Sequence, residues 1–166
     1  AADQCQDSPT NNFVTLNPIN MPASSQPTLT FGNTSSVTNS SGSSNFGGVT
    51  TIGLTKGKWY VEAKAVMGGT TRNDIGLVAN QETIIDSNRL AQGHNTYEWS
   101  WEVGTPAWRY ETDSGAVQTQ TLSTYANGDI IALYLDLDNH LLYAAKNGTI
   151  QNSGVGLSVP AAASTP

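Results

Sequence analysis

Basic residues are scarce: seven Lys and Arg occur in 166 residues, and the first 55 residues hold none. The net charge is −6 and the isoelectric point is near 4.6. So few cations cannot line a phosphate track, which argues against a nucleic-acid partner, and the same deficit argues against docking on anionic lipid. No apolar run approaches the roughly 18 residues that a membrane helix needs. Cysteine occurs once, at Cys5, so an internal disulfide and a Cys-based metal cluster are excluded. Histidine occurs twice, as His94 in an expected loop and His140 beside an expected hairpin turn. That is thin support for a His-activated nucleophile. Gly47-Gly48 and Gly68-Gly69 are isolated turn pairs rather than a phosphate-cradling loop. The chain starts at Ala1 without a Met, and no basic segment followed by an apolar one is visible, so a piece of a longer protein is expected.

What is abundant is Ser, Thr, Asn and Gly, together about two-fifths of the chain. With 37% hydrophobic residues there is still enough apolar material for a core. This is the make-up of a β-rich protein with many turns. Residues 1–47 carry only Asp3 and Asp7 as charges and include Pro18, Pro22, Pro27 and the run Asn39–Ser44. Phe13–Leu16 and Thr28–Phe31 read as short extended pieces, so a lead-in of short strands packed on the following domain is expected, with a flexible loop near Asn39–Ser44.

Residues 48–159 are expected to form the main domain, and residues 160–166 a tail or the start of a linker. Trp59, Val61, Ala63, Ala65 and Met67 alternate with Tyr60, Glu62 and Lys64 over Gly57–Met67. Asp74–Ala79, Tyr97–Val103 and Ala107–Thr112 read as further strands. Asn127-Gly128 marks a turn before Asp129–Leu137, where Ile131, Leu133, Leu135 and Leu137 share one face. Asp138-Asn139 and Asn147-Gly148 bracket the strand Leu141–Lys146. One helical turn is expected near Thr83–Leu90. Short strands at this spacing predict an all-β fold, an antiparallel two-sheet β-sandwich.

Lys56-Gly57-Lys58-Trp59-Tyr60-Val61-Glu62 and Asp74-Ile75-Gly76-Leu77 resemble the opening half of a SPRY domain. Tyr125-Ala126-Asn127-Gly128-Asp129-Ile130-Ile131, Leu135-Asp136-Leu137-Asp138-Asn139, Tyr143 and Lys146-Asn147-Gly148 are similar to that family's central signature, in the same order. The approach segment Asp7–Pro18 resembles the lead-in of SPRY-containing virion proteins of tailed bacteriophages. The resemblance implies a lectin-like sandwich that binds partners through loops at one end. Family members usually close with a strand ending in an Asn-Phe-Gly-like motif, whereas this chain passes through Pro160 and three alanines. Either that strand lies elsewhere in a longer protein or something else covers the sheet edge.

In such a fold Trp59, Ile75, Leu77, Ile131, Leu133, Leu135 and Tyr143 are expected in the core, and Gly128, Asn139 and Gly148 at positive φ in hairpins. Asp136 and Asp138 suggest calcium, but His140, Leu141 and Leu142 follow where further oxygen ligands and a glycine belong, so a hairpin turn is expected and no metal or cofactor. Glu98 and Glu102 share a strand face but lie about 13 Å apart, too far for a glycosidase pair. The expectation is a non-enzymatic binding module. Its sites would be Asp86, Asn88, Arg89 and His94 in the long Gln81–Asn95 connection, with Trp99 and Trp108 from the aromatic-rich stretch.

The resemblance points to a virion-surface fibre or tail adhesin recognising a host-surface glycan or protein. The alternative is a structural or capsid-decoration module that contacts other virion proteins, with trimerisation at a fibre axis. A cellular SPRY protein-interaction adaptor is the lesser alternative.

Overall fold

The strongest strand signal sits where Ile131, Leu133 and Leu135 alternate with Ala132 and Tyr134, and the backbone there is the centre of the largest sheet. The computed structural model describes residues 14–21, 28–37, 48–66, 74–78, 98–102, 107–111 and 120–159. Ten strands occur among them: β1 (Thr28–Thr30), β2 (Ser35–Val37), β3 (Lys58–Lys64), β4 (Asp74–Val78), β5 (Glu98–Glu102), β6 (Trp108–Glu111), β7 (Ile130–Asp136), β8 (Leu141–Lys146), β9 (Thr149–Ile150) and β10 (Leu157–Ser158). Every pairing is antiparallel. The fold is all-β, and its one helical piece among the described residues is a 3-10 turn at Asn152–Gly154.

The described residues divide between two compact units, one running to Leu54 and one beginning at Thr55. In the first, β1 and β2 form a hairpin around Phe31, Gly32 and Asn33, all three at positive φ. The strand expected to include Phe31 therefore stops at Thr30, and Phe31 is 71% exposed in a backbone region that bulky residues rarely adopt. Asn17 donates to the Val49 carbonyl and Thr51 to the Thr15 carbonyl, each at 2.8 Å, zipping the two ends of this unit together. Met21 and Val49 are buried there. Asn39–Ser44 and residues 160–166 lie outside the described residues, as does the expected turn at Thr83–Leu90.

In the second unit one sheet has the order β10-β8-β7-β3, with β9 also on β8. On one face Ile131, Leu133, Leu135, Leu142, Ala144 and Leu157 are buried, each large side chain contributing about 1.5–3 kcal/mol. Asn147-Gly148 turns β8 into β9 with φ of 49° and 78°, the two-residue hairpin geometry that this dipeptide favours. β9 and β10 then run along the same edge of β8, because β7 occupies the other. Gln151 donating to the Ala144 carbonyl (2.9 Å) and Val159 to the His140 carbonyl (2.8 Å) complete that cover. Thr149–Val159 thus covers this edge of β8.

A knot of polar contacts fixes the entry to β7. The Asp129 carboxylate accepts from the Asn147 side chain (2.8 Å) and the Ala126 amide (2.7 Å), and lies 3.3 Å from the Lys146 ammonium.

Four core expectations and one turn expectation change. Ile75 and Leu77 are half-buried rather than core, because β4 is the end strand of its sheet. Trp59 is 45% exposed, because β3 is the end strand of its sheet and the indole folds back to donate to the Lys56 carbonyl at 2.8 Å. Tyr143 is half-buried rather than core. At the β7–β8 turn His140, not Asn139, takes positive φ (55°). Asn139 instead donates its backbone N–H and its side-chain amide to Asp136, at 3.1 and 2.9 Å.

Candidate functional site

The second sheet of this unit, β4-β5-β6, gathers the aromatics. Register aligns Ile75, Trp101 and Trp108 in one row and Leu77, Trp99 and Tyr110 in the next. Trp99, Trp101 and Trp108 are 3%, 0% and 1% exposed. Trp101 meets Trp108 with ring centroids 6.3 Å apart. Trp99 and Trp108 are therefore core side chains, which takes both off the ligand-facing surface assigned to them from sequence. Asp86, Asn88, Arg89 and His94 lie outside the described residues.

Glu98 and Glu102 stand at the two ends of β5, as their spacing required. Register adds what the sequence could not: Glu98 is opposite Glu111, and Glu102 is opposite Asp74. These oppositions arise from pairing between strands distant in the chain. Among the described residues, no group of three or more His, Cys, Asp or Glu is placed to hold a metal. The Asp136 carboxylate takes Lys58 and Asn139, and Asp138 accepts from the Gly57 amide at 3.0 Å. Both carboxylates that suggested calcium thus have protein partners tying the β7–β8 turn to the start of β3.

Aromatic side chains reach the surface elsewhere, on the face of β3-β7-β8 opposite the buried one. Register sets Tyr60 opposite Tyr134 and Tyr134 opposite Tyr143, a row of three tyrosines across three adjacent strands. The Tyr60 and Tyr134 rings lie 4.9 Å apart at 46°. Tyr60 is 53% exposed, and the other two are half-buried. In the next row on the same face, opposite Glu62, the small side chains Ala132 and Ala145 are buried. Gly156 sits against Tyr143: a Cβ there would stand 2.9 Å from two of its ring carbons.

Polar groups flank the row on both sides. The Tyr60 hydroxyl donates to the Glu62 carboxylate, which pushes the phenol up to about 12. Two ladder positions away, on the same face, Lys58 pairs with Asp136. Hydrogen bonding from Lys58 and then from Asn139 draws the Asp136 carboxyl down to about 2. Tyr60 lies more than seventy residues before Tyr134 and Tyr143, so no local motif announces the row. The outward phase of Tyr60 was legible in the alternation of Gly57–Met67.

Comparison with protein-family models and with curated proteins finds no match for this chain.

Proposed function

We propose that this chain is a non-enzymatic binding module of a bacteriophage virion protein, built on a SPRY-like two-sheet β-sandwich and acting as a fibre or tail adhesin. What supports the sandwich is the pair of antiparallel sheets within one unit, each with a buried apolar face. The observation that carries the binding reading is the Tyr60–Tyr134 ring pair, presented outward on a sheet whose other face is core. Exposed aromatics on a rigid scaffold are the usual anchors of recognition. The ligand in this reading is a host-surface glycan or protein.

The test is binding of the labelled chain to a panel of bacterial cells and their isolated envelope polysaccharides. Saturable binding competed by one envelope component supports the adhesin. Absence of binding, even in a trimerised form that adds avidity, refutes it.

A second reading, a structural module contacting other virion proteins, is favoured by one feature. β3 pairs only with β7 among the described residues, leaving a seven-residue edge for another strand. Concentration-dependent self-association or capture by another virion protein, abolished by a Lys64→Pro change that removes an N–H facing that edge, would favour this reading.

A further inference from the structure

The geometry points to a neutral oligosaccharide as the ligand of the outward face of β3-β7-β8, lying across the strands along Tyr60, Tyr134 and Tyr143. This assignment rests on the binding-module reading and narrows its ligand to one chemical class.

Three features select that class. The first is length: adjacent strands lie about 4.8 Å apart, so a row over three strands spans about 10 Å, the length of two linked pyranose rings. A sugar ring offers an apolar C–H face to each phenol ring, which the 53% exposure of Tyr60 leaves accessible.

The second is the placement of polar groups beside the rings. Glu62 lies two residues from Tyr60 on the same face, and Asp136 with Asn139 lies on its other side. Carboxylate and amide groups at the rim of an aromatic strip match equatorial hydroxyls, which both donate and accept. The Glu62 carboxylate holds the Tyr60 hydroxyl, so that ring is oriented before any ligand arrives.

The third is charge. Lys58 and Lys64 balance Glu62 and Asp136 on this face, and Lys58 is already paired with Asp136. With no net charge on the face and −6 on the chain, a polyanionic glycan gains nothing here, and an acidic peptide is repelled.

The experiment titrates the full chain with neutral hexose and N-acetylhexosamine di- to tetrasaccharides, and with uronic-acid and sialylated ones, at low and high salt. Neutral saccharides should bind with little salt dependence. Tyr60→Ala should weaken that binding about tenfold, as expected for loss of one aromatic contact, while Tyr60→Phe keeps it within about twofold. Tyr60 is exposed, so an unchanged melting temperature in Tyr60→Ala separates lost contact from lost fold. The inference is overturned if neutral saccharides fail to bind, if acidic ones bind better, or if Tyr60→Ala binds as the wild type does. Cell binding that survives Tyr60→Ala, or that is removed by treating the cells with protease, also overturns it and leaves the adhesin reading standing. Absence of binding to any cell or saccharide overturns both.

Discussion

The Tyr125 hydroxyl donates to the Trp101 carbonyl at 3.1 Å, and the two rings meet edge-on with centroids 5.3 Å apart. Both side chains are buried, so this one residue joins the segment leading into β7 to the middle strand of the other sheet. Tyr125→Phe keeps the ring packing and removes the donor. It should lower stability by about 0.5–1.5 kcal/mol, read as a shift of the denaturation midpoint. A midpoint equal to wild type would mean that the hydrogen bond contributes nothing beyond the ring contact.

The tryptophans should separate sharply by burial. Trp101→Ala removes a fully buried ring and should cost about 3–5 kcal/mol through the cavity it leaves. Trp59→Ala removes a ring that is nearly half in solvent, and should cost about 1 kcal/mol. Equal losses in the two variants would contradict the placement of Trp59 on the exposed end strand.

Those two residues also mark where sequence reasoning stops. Alternation assigned Trp59 and Ile131 to the same kind of face with equal force, and it was right about the phase of both. Whether a face is covered depends on where the strand lies in the sheet, which the local pattern does not contain. The β7–β8–β9 hairpins were legible because turn dipeptides bracket short alternating runs, a local signal. The tyrosine row was not, since Tyr60, Tyr134 and Tyr143 become neighbours only through register between strands more than seventy residues apart in one case. Closure of the β8 edge by Thr149–Val159 was hidden for a different reason: two two-residue strands around a 3-10 turn carry almost no periodicity.

Gly156 offers a local check on the same face. A methyl group there would stand 2.9 Å from Tyr143 Cε1 and Cζ and 3.3 Å from Leu141 Cβ. Gly156→Ala must therefore displace the ring or the backbone entering β10, at about 1–3 kcal/mol. Gly154→Ala is a poor control because its φ is +79°, whereas Gly53, with nothing near its Cβ position, is a good one. Equal melting temperatures for Gly156→Ala and Gly53→Ala would show that the contact yields without cost.

Acid should destabilise the second unit through two carboxylates. Asp129 is held below the usual range by the Asn147 side chain and the Ala126 amide, and Asp136 is drawn to about 2 by Lys58 and Asn139. A carboxyl whose folded value is depressed contributes stability above its unfolded value, and that contribution is lost as pH falls through the folded one. The loss should run from about pH 4 down to about pH 2. Melting temperatures across that range should fall less steeply for Asp129→Asn with Asp136→Asn than for wild type. Parallel curves would mean that these carboxylates do not drive the acid limb.

Alkali acts through Tyr60 with the opposite sign. Its phenol is raised from 10.0 to about 12, first by the hydrogen bond to Glu62 and then by burial. The folded state thus favours the neutral phenol, so the stability it contributes is complete below pH 10 and is lost as pH rises toward about 12. Phenolate absorbance follows this directly, and Tyr60→Phe identifies the late-titrating group among the six tyrosines. Glu62→Gln removes the charged acceptor and should bring that titration back toward 10. If the late phase survives Glu62→Gln unchanged, the carboxylate is not what orients the ring, and the pre-oriented edge of the tyrosine row loses its physical basis.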